Sequence, residues 1–264
     1  MVGLDNGCWE RDDVRIAMPP PDLGGLVEYI WEQACWANAH EWRIVPDVSP
    51  HLIATISHGR GGLNLRAVLV GPRSRVAVTN VNNRLVTVGI RLTPGTIPAL
   101  VGASAHEFMD RAIPFEDVFA SPVLGNLELA VDSPPALLAS GMVQIVRRAA
   151  GASLPGPLPA ALKRVCNVRD MTQVLNAPER TVRDRALREI GLPPKRALRI
   201  LRLHRALTIA RKRDLSWATV ACTAGYADQA HLTRECRALL GDTPSQWLAR
   251  GSADSFKTAA AARL

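Results

Sequence analysis

Two hydrophobic periods divide this 264-residue chain. In its first third the apolar positions alternate or run in short β-branched blocks. HLIATISH from His51 and LRAVLVG from Leu65 are such blocks bounded by Gly, which predicts strands. VAVTNV and RLVTVGIRL, between Val76 and Leu92, flank Asn82 and Asn83. Both Asn residues tolerate the left-handed backbone of a tight turn, so a hairpin is expected there. Val86, Val88, Ile90 and Leu92 recur with period two, which predicts one buried face. From Thr96 the spacing turns helical, with Ile97, Leu100 and Val101, then Phe108 and Met109, and Leu124 to Ala130 continuing it. Tyr29, Trp31, Trp36 and Trp42 lie close together ahead of these elements. Such a cluster walls a ligand pocket or fills a core, and the core is the more usual place in a domain this size.

GASLPGPLP, ending at Pro159, breaks either period and predicts a linker over 151–159. Only the helical period follows. Helices are expected over Ala160 to Val165, Met171 to Leu175, and Glu179 to Ile190, the last opened by Pro178 and closed by Gly191. Lys195 to Lys212 makes about five turns, roughly 27 Å, with Leu198, Leu201, Ala206 and Ile209 inward and Arg199, Arg202 and Arg205 outward. Ser216 can cap a short helix carrying Val220, Ala221 and Cys222 inward, Gly225 ends it, and Asp228 restarts the chain. The helix from Gln229 places Leu232, Cys236 and Leu239 or Leu240 on one stripe, leaving Gln229, Ala230, His231, Thr233, Arg234 and Arg237 off it. Two short helices around a Gly, the second polar and basic outside, form the pattern of a helix-turn-helix.

Charge sharpens the division. Residues 151–264 hold 20 Lys and Arg against 9 Asp and Glu, whereas residues 1–150 hold 12 against 15. The positive excess therefore accompanies the helix-turn-helix, which points to a polyanion as partner. Cys8, Cys35, Cys166, Cys222 and Cys236 show no C-x-x-C pair, so reduced thiols and a cytoplasmic location are expected. No apolar run approaches the roughly 18 residues of a membrane span. His40, His51, His58 and His106 lie in the first half without H-x-H or H-x-x-x-H spacing, which argues against a metal. No nucleophile-base arrangement is legible either, so no catalytic residue, cofactor or metal is expected.

The run A-x-x-x-G-Y-x-D-x-x-H-L-x-R-x-x-R-x-x-x-G-x-T-P-x-x-W, from Ala221 to Trp247, resembles the second helix-turn-helix of AraC/XylS-type transcription regulators. R-T-V-R-D-R from Arg180, with G-L-P-P-K at 191–195, resembles their first recognition helix and the turn after it. P-D at 46–47, HLIATISHG after it, and G-I-R-L-T-P-G at 89–95 resemble the sensor-like domain attached to one subgroup of these regulators. The resemblance implies two recognition helices on a rigid connector, entering successive major grooves about 34 Å apart. The first would present Arg180, Arg183 and Asp184 to base edges, the second Gln229, Ala230, His231, Thr233 and Arg234. Arg188, Lys195, Arg237 and the outward arginines of the connector would hold phosphates. The chain departs from the family pattern in four places. Ala186 and Cys236 stand where aromatics are usual, Asp184 where Arg is common, and Pro178 where a Ser caps, leaving the cap to Asn176.

The expected architecture is α+β. A frayed start (1–13) precedes a mostly antiparallel β domain with appended helices (14–150), a cupin-like barrel or sandwich. The linker leads to an all-α domain of two helix-turn-helix units joined by a long helix (160–250), then a loose tail (251–264). The expected function is sequence-specific regulation of transcription, with double-stranded DNA as partner. RNA polymerase, a small-molecule effector and a second copy of the chain are compatible further partners. The competing reading is an enzyme or small-molecule-binding protein whose basic half is a non-specific nucleic-acid anchor.

Overall fold

The computed structural model describes residues 14–35, 40–59, 62–81, 85–119, 135–150, 155–212 and 215–249. The expected frayed start, the tail, the 124–130 stretch, Trp36, the side chain of Trp42 and the Asn82–Asn83 turn fall outside them.

Among the described residues of the first half there are eight strands. They are β1 (Val14–Ala17), β2 (Val27–Cys35), β3 (His40–Ile44), β4 (His51–Gly59), β5 (Gly62–Val70), β6 (Ala77–Val81), β7 (Leu85–Leu92) and β8 (Ala112–Pro114). Six form one antiparallel sheet in the order β1-β2-β7-β4-β5-β8, and β3 pairs with β6 in a separate ribbon. The expected antiparallel β domain is therefore present, and the two-sheet arrangement is compatible with a cupin-like fold. The expected β6–β7 hairpin is not: β7 lies between β2 and β4, and β6 leaves for the ribbon. Burial explains the parting. From Thr87 to Leu92 every residue of β7 is buried, so the strand belongs at the sheet centre, whereas Val78 of β6 is 53% exposed.

The single buried face expected of β7 is thus two. Val88, Ile90 and Leu92 join Ile30, Leu52, Ala54 and Leu69 under α1 (Thr96–Val101) and α2 (Pro135–Ala150). On the other face Trp31, with Tyr29 beside it, lies over Gly89 so closely that a Cβ there would sit 2.0 Å from the indole. Only glycine fits. Tyr29 and Trp31 are therefore core residues, as the commoner reading of the aromatic cluster has it. Beside them Arg91 of β7 donates to Asp47 through both terminal nitrogens and to Glu28 through Nε at 2.6 Å. His51 Nε2 reaches Asp47 at 3.3 Å, so this buried carboxylate is fully occupied.

Among the described residues the second half holds helices and no strand: α3 (Pro157–Arg164), α4 (Val168–Val174), α5 (Glu179–Ile190), α6 (Pro194–Lys212), α7 (Trp217–Ala224), α8 (Gln229–Leu240) and α9 (Pro244–Ala249). The first begins three residues earlier than its pattern predicted, because Pro157 and Pro159 occupy the opening turn, where no N–H is needed. Leu162, Met171, Val182, Leu203, Val220, Leu232 and Trp247 share one core, which Val45 and Val48 of the β domain enter. No helix among the described residues is long and apolar enough to cross a membrane.

Candidate nucleic-acid interface

The second helix-turn-helix is closed by local hydrogen bonds. Ser216 Oγ accepts from Thr219 N at 3.2 Å and opens α7. Gly225, at φ 87°, ends the helix in the left-handed region, and Tyr226 N returns to Ala221 O at 2.9 Å. Asp228 Oδ1 then accepts from His231 N at 2.6 Å and opens α8. Each stop and start rests on a residue whose role was readable in sequence.

Leu232, Cys236, Leu239 and Leu240 face inward from α8. Burial pushes the Cys236 thiol up to about 12, so it is an inert apolar filler. Gln229, Ala230, Arg234 and Arg237 are exposed, and Thr233 is half-buried with its hydroxyl donating to Gln229 O at 2.9 Å. His231 differs from its expected display. Its ring packs edge-on against Tyr226, with centroids 5.2 Å apart and planes at 90°, and its Nδ1 faces the Ala227 N–H at 3.5 Å. Arg234 makes no ion pair among the described residues, and the adjacent Glu235 is taken by Arg199 in a two-bond pair of 2.8 Å each.

The first unit is assembled differently. Asn167 caps α4 by accepting from Asp170 N at 2.9 Å. Asn176 does not cap α5, which starts at Pro178 without a side-chain cap; it stands at φ 44° and makes the left-handed turn that Gly225 makes in the second unit. Asn substitutes for Gly there because its short polar side chain tolerates that region. Val182, Ala186 and Ile190 are buried, and Arg180, Arg183, Asp184 and Arg188 are exposed. Arg188 lies 3.5 Å from Glu189, while Arg180 and Arg183 make no ion pair among the described residues. Lys195 is exposed at the start of α6.

The connector α6 corrects two expectations. Ala197, Ile200, Leu203 and Leu207 are buried alongside the expected Leu198 and Ala206, so it is apolar on more than one side. It is gripped by both units and by the β domain. Two of its outward arginines are also engaged: Arg199 holds Glu235, and Arg202 donates to Cys166 O at 3.1 Å while lying 5.6 Å from the Tyr226 ring centre. Both act as internal ties, and Arg205 alone of the three remains exposed.

Glu32 is a buried carboxyl of β2 whose pKa desolvation raises to about 7 against the pull of Arg15. No three His, Cys, Asp or Glu side chains converge as a metal site among the described residues.

Residues 171–250 match the family model of a helix-turn-helix domain, and residues 15–114 match that of a domain of unknown function, DUF6597. The carboxy-terminal region is an AraC-type helix-turn-helix domain, and the protein is a DNA-binding regulator. No curated protein sequence matches the chain. Solved structures of ToxT from Vibrio cholerae resemble it distantly. For ToxT of strain O395 the identity is 10%, over 80% of this chain and 96% of that one, with a TM-score of 0.43. For ToxT bound to (E)-4-(8-methylnaphthalen-1-yl)but-3-enoic acid the values are 11%, 82%, 98% and 0.45. For the unsaturated fatty acid complex of strain SCE256 they are 8%, 91%, 97% and 0.42. Likeness at that level carries no information on ligand or mechanism.

Proposed function

We propose that this chain is a sequence-specific transcription regulator that reads DNA with α5 and α8, under the control of its β domain. The observation that carries the reading is the outer face of α8, where Gln229, Arg234 and Arg237 stand exposed on a helix whose opposite side is fully buried. A helix inserted into a major groove needs that division. Gln229 and Arg234 supply the side-chain types that form two-bond contacts with adenine and guanine. Ala230 and Thr233 add small apolar and hydroxyl contacts, and His231, folded against Tyr226, reaches bases from the edge of the helix.

Arg180, Arg183 and Asp184 play the same part on α5, where Asp184 favours cytosine as an acceptor of its amino group. Arg188, Lys195 and Arg237 neutralise phosphates and fix register. Control by a small molecule is assigned to the β domain because that domain grips both helix-turn-helix units. The test is hydroxyl-radical footprinting of the full chain on duplexes selected from a random pool. Two protected patches about one helical turn apart are expected. Arg234→Ala should relax selection at particular bases by roughly 5-fold to 150-fold. Arg237→Ala should weaken all sequences alike and lower the salt slope by about 1. Selection without a consensus would sink the reading and leave a non-specific anchor.

A further inference from the structure

The β domain touches both recognition helices, and at corresponding ends. A helix leaves its last carbonyls without intrahelical partners. At α8 two of these, Leu239 O and Leu240 O, are met from the β domain by the Val76 N–H at 3.2 Å and the Arg43 guanidinium at 3.1 Å. The same guanidinium pairs with Asp242 at 2.5 Å and lies 5.7 Å from the Trp247 ring centre. A cation at a helix carboxyl end is also favoured by the helix dipole. At α5, the carbonyl of the capping residue Gly191 accepts from His106 Nδ1 at 3.2 Å. The connector is held as well, with Arg196 donating to Ser74 O and His204 Nε2 donating to Pro46 O at 2.6 Å.

These contacts come from three segments of the β domain that are tied to one another. Asp47 and Arg73 exchange backbone hydrogen bonds of 2.9 and 2.7 Å. Ser74 donates to the Asp110 carboxylate from its N–H at 2.7 Å and from its hydroxyl at 2.6 Å. Arg91 fixes the Asp47 carboxylate from the centre of the sheet. The three segments therefore form one plate, braced against the carboxyl ends of α5 and α8. The amino-terminal halves of both helices keep Arg180, Arg183, Gln229, Ala230 and Arg234 exposed.

We propose that Arg43 is a positioning residue for DNA recognition: from the β domain it fixes α8 relative to α5 and thereby sets the separation of the two half-sites. The inference rests on the two-helix reading above. Arginine suits the task because its fork serves a carboxylate and a carbonyl together while its plane lies near an indole, which a lysine ammonium cannot do.

The test uses the full chain on a selected duplex and on versions with one or two base pairs inserted between the protected patches. Wild type should protect both patches and lose about ten-fold in affinity on the lengthened duplexes. Arg43→Met and the isosteric Asp242→Asn should protect the first patch as wild type does, bind the second more weakly, and discriminate spacing by no more than about two-fold. Arg43→Lys, keeping the cation but not the fork, should fall between. A loss of stability alone would lower both patches together and leave the spacing preference intact. Wild-type discrimination in both Arg43→Met and Asp242→Asn would overturn the inference, and if Arg43→Met does not fold, Asp242→Asn decides. Arg234→Ala separates the two ideas. If it weakens the second patch while Asp242→Asn leaves spacing untouched, only the positioning role fails; if wild type gives no paired patches, both fail.

Discussion

Glu32 and Asp47 are buried carboxyl groups in one small domain, and their surroundings make them opposites. Asp47 accepts from Arg91, His51 and the Ser49 N–H, so its charge is held in place. Glu32 sits on β2 opposite Arg15 and Val88, and burial raises its pKa from 4.5 to about 7. The folded chain thus retains a proton that the unfolded chain releases between those values, and stability falls as pH rises through that window. Glu32→Gln removes the titration. We expect it to be close to neutral at about pH 3.5, below both values, and to stabilise the protein by up to about 3 kcal/mol at pH 8, measured by urea unfolding at both. An equal difference at the two values would show that Glu32 does not titrate there. Nothing in its sequence neighbours distinguishes this glutamate from an exposed one.

The helix ends divide into those set locally and those set by the other domain. Gly225 and Gly191 both stand in the left-handed region, at φ 87° and φ 80°, and both were legible as helix stops. Their surroundings differ. An added Cβ at Gly225 meets nothing within 4 Å, whereas at Gly191 it meets Ala105 O at 2.6 Å and Pro72 Cγ at 2.7 Å. Gly225→Ala should therefore cost only the backbone term, about 1–2 kcal/mol. Gly191→Ala should cost that and at least about 1 kcal/mol more, because the β domain must move off α5. Thermal unfolding of the two variants checks the ranking, and equal losses would mean that the plate yields freely. The same distinction explains Asn176. As a left-handed turn it was open to Asn on chemical grounds, yet the cap was the expectation, since sequence alone does not say which of its two abilities an Asn uses.

At the scale of the whole molecule the two halves are not independent bodies. Val45 and Val48 pack into the core of the helical half, and Arg43, Val76, His106, Ser74 and Pro46 bond across the boundary. A shared core and a hydrogen-bonded seam couple the unfolding of both sides. Calorimetry should record one cooperative transition, and two resolved peaks would mean that the seam opens on its own. On the proposed reading, a partner that moves any one of the three tied segments acts on α5 and α8 at once.

Sequence by itself determined what depends on neighbours a few residues apart. Caps, glycine stops and the inward stripe of α8 are local, because hydrogen bonds to the next turn and a 3.6-residue period involve nothing distant. The basic half and its helix-turn-helix pattern were visible for the same reason. Tertiary structure decided the rest. It sent β6 to pair with β3, and it buried the second face of β7 under Trp31. It turned Arg199 from a free surface charge into the partner of Glu235, and it brought Arg43 to the end of a helix 199 residues away from it in sequence at Asp242. Those outcomes follow from which surfaces find each other in the folded chain, and a side chain's alternation or charge is the same before and after it has found its partner.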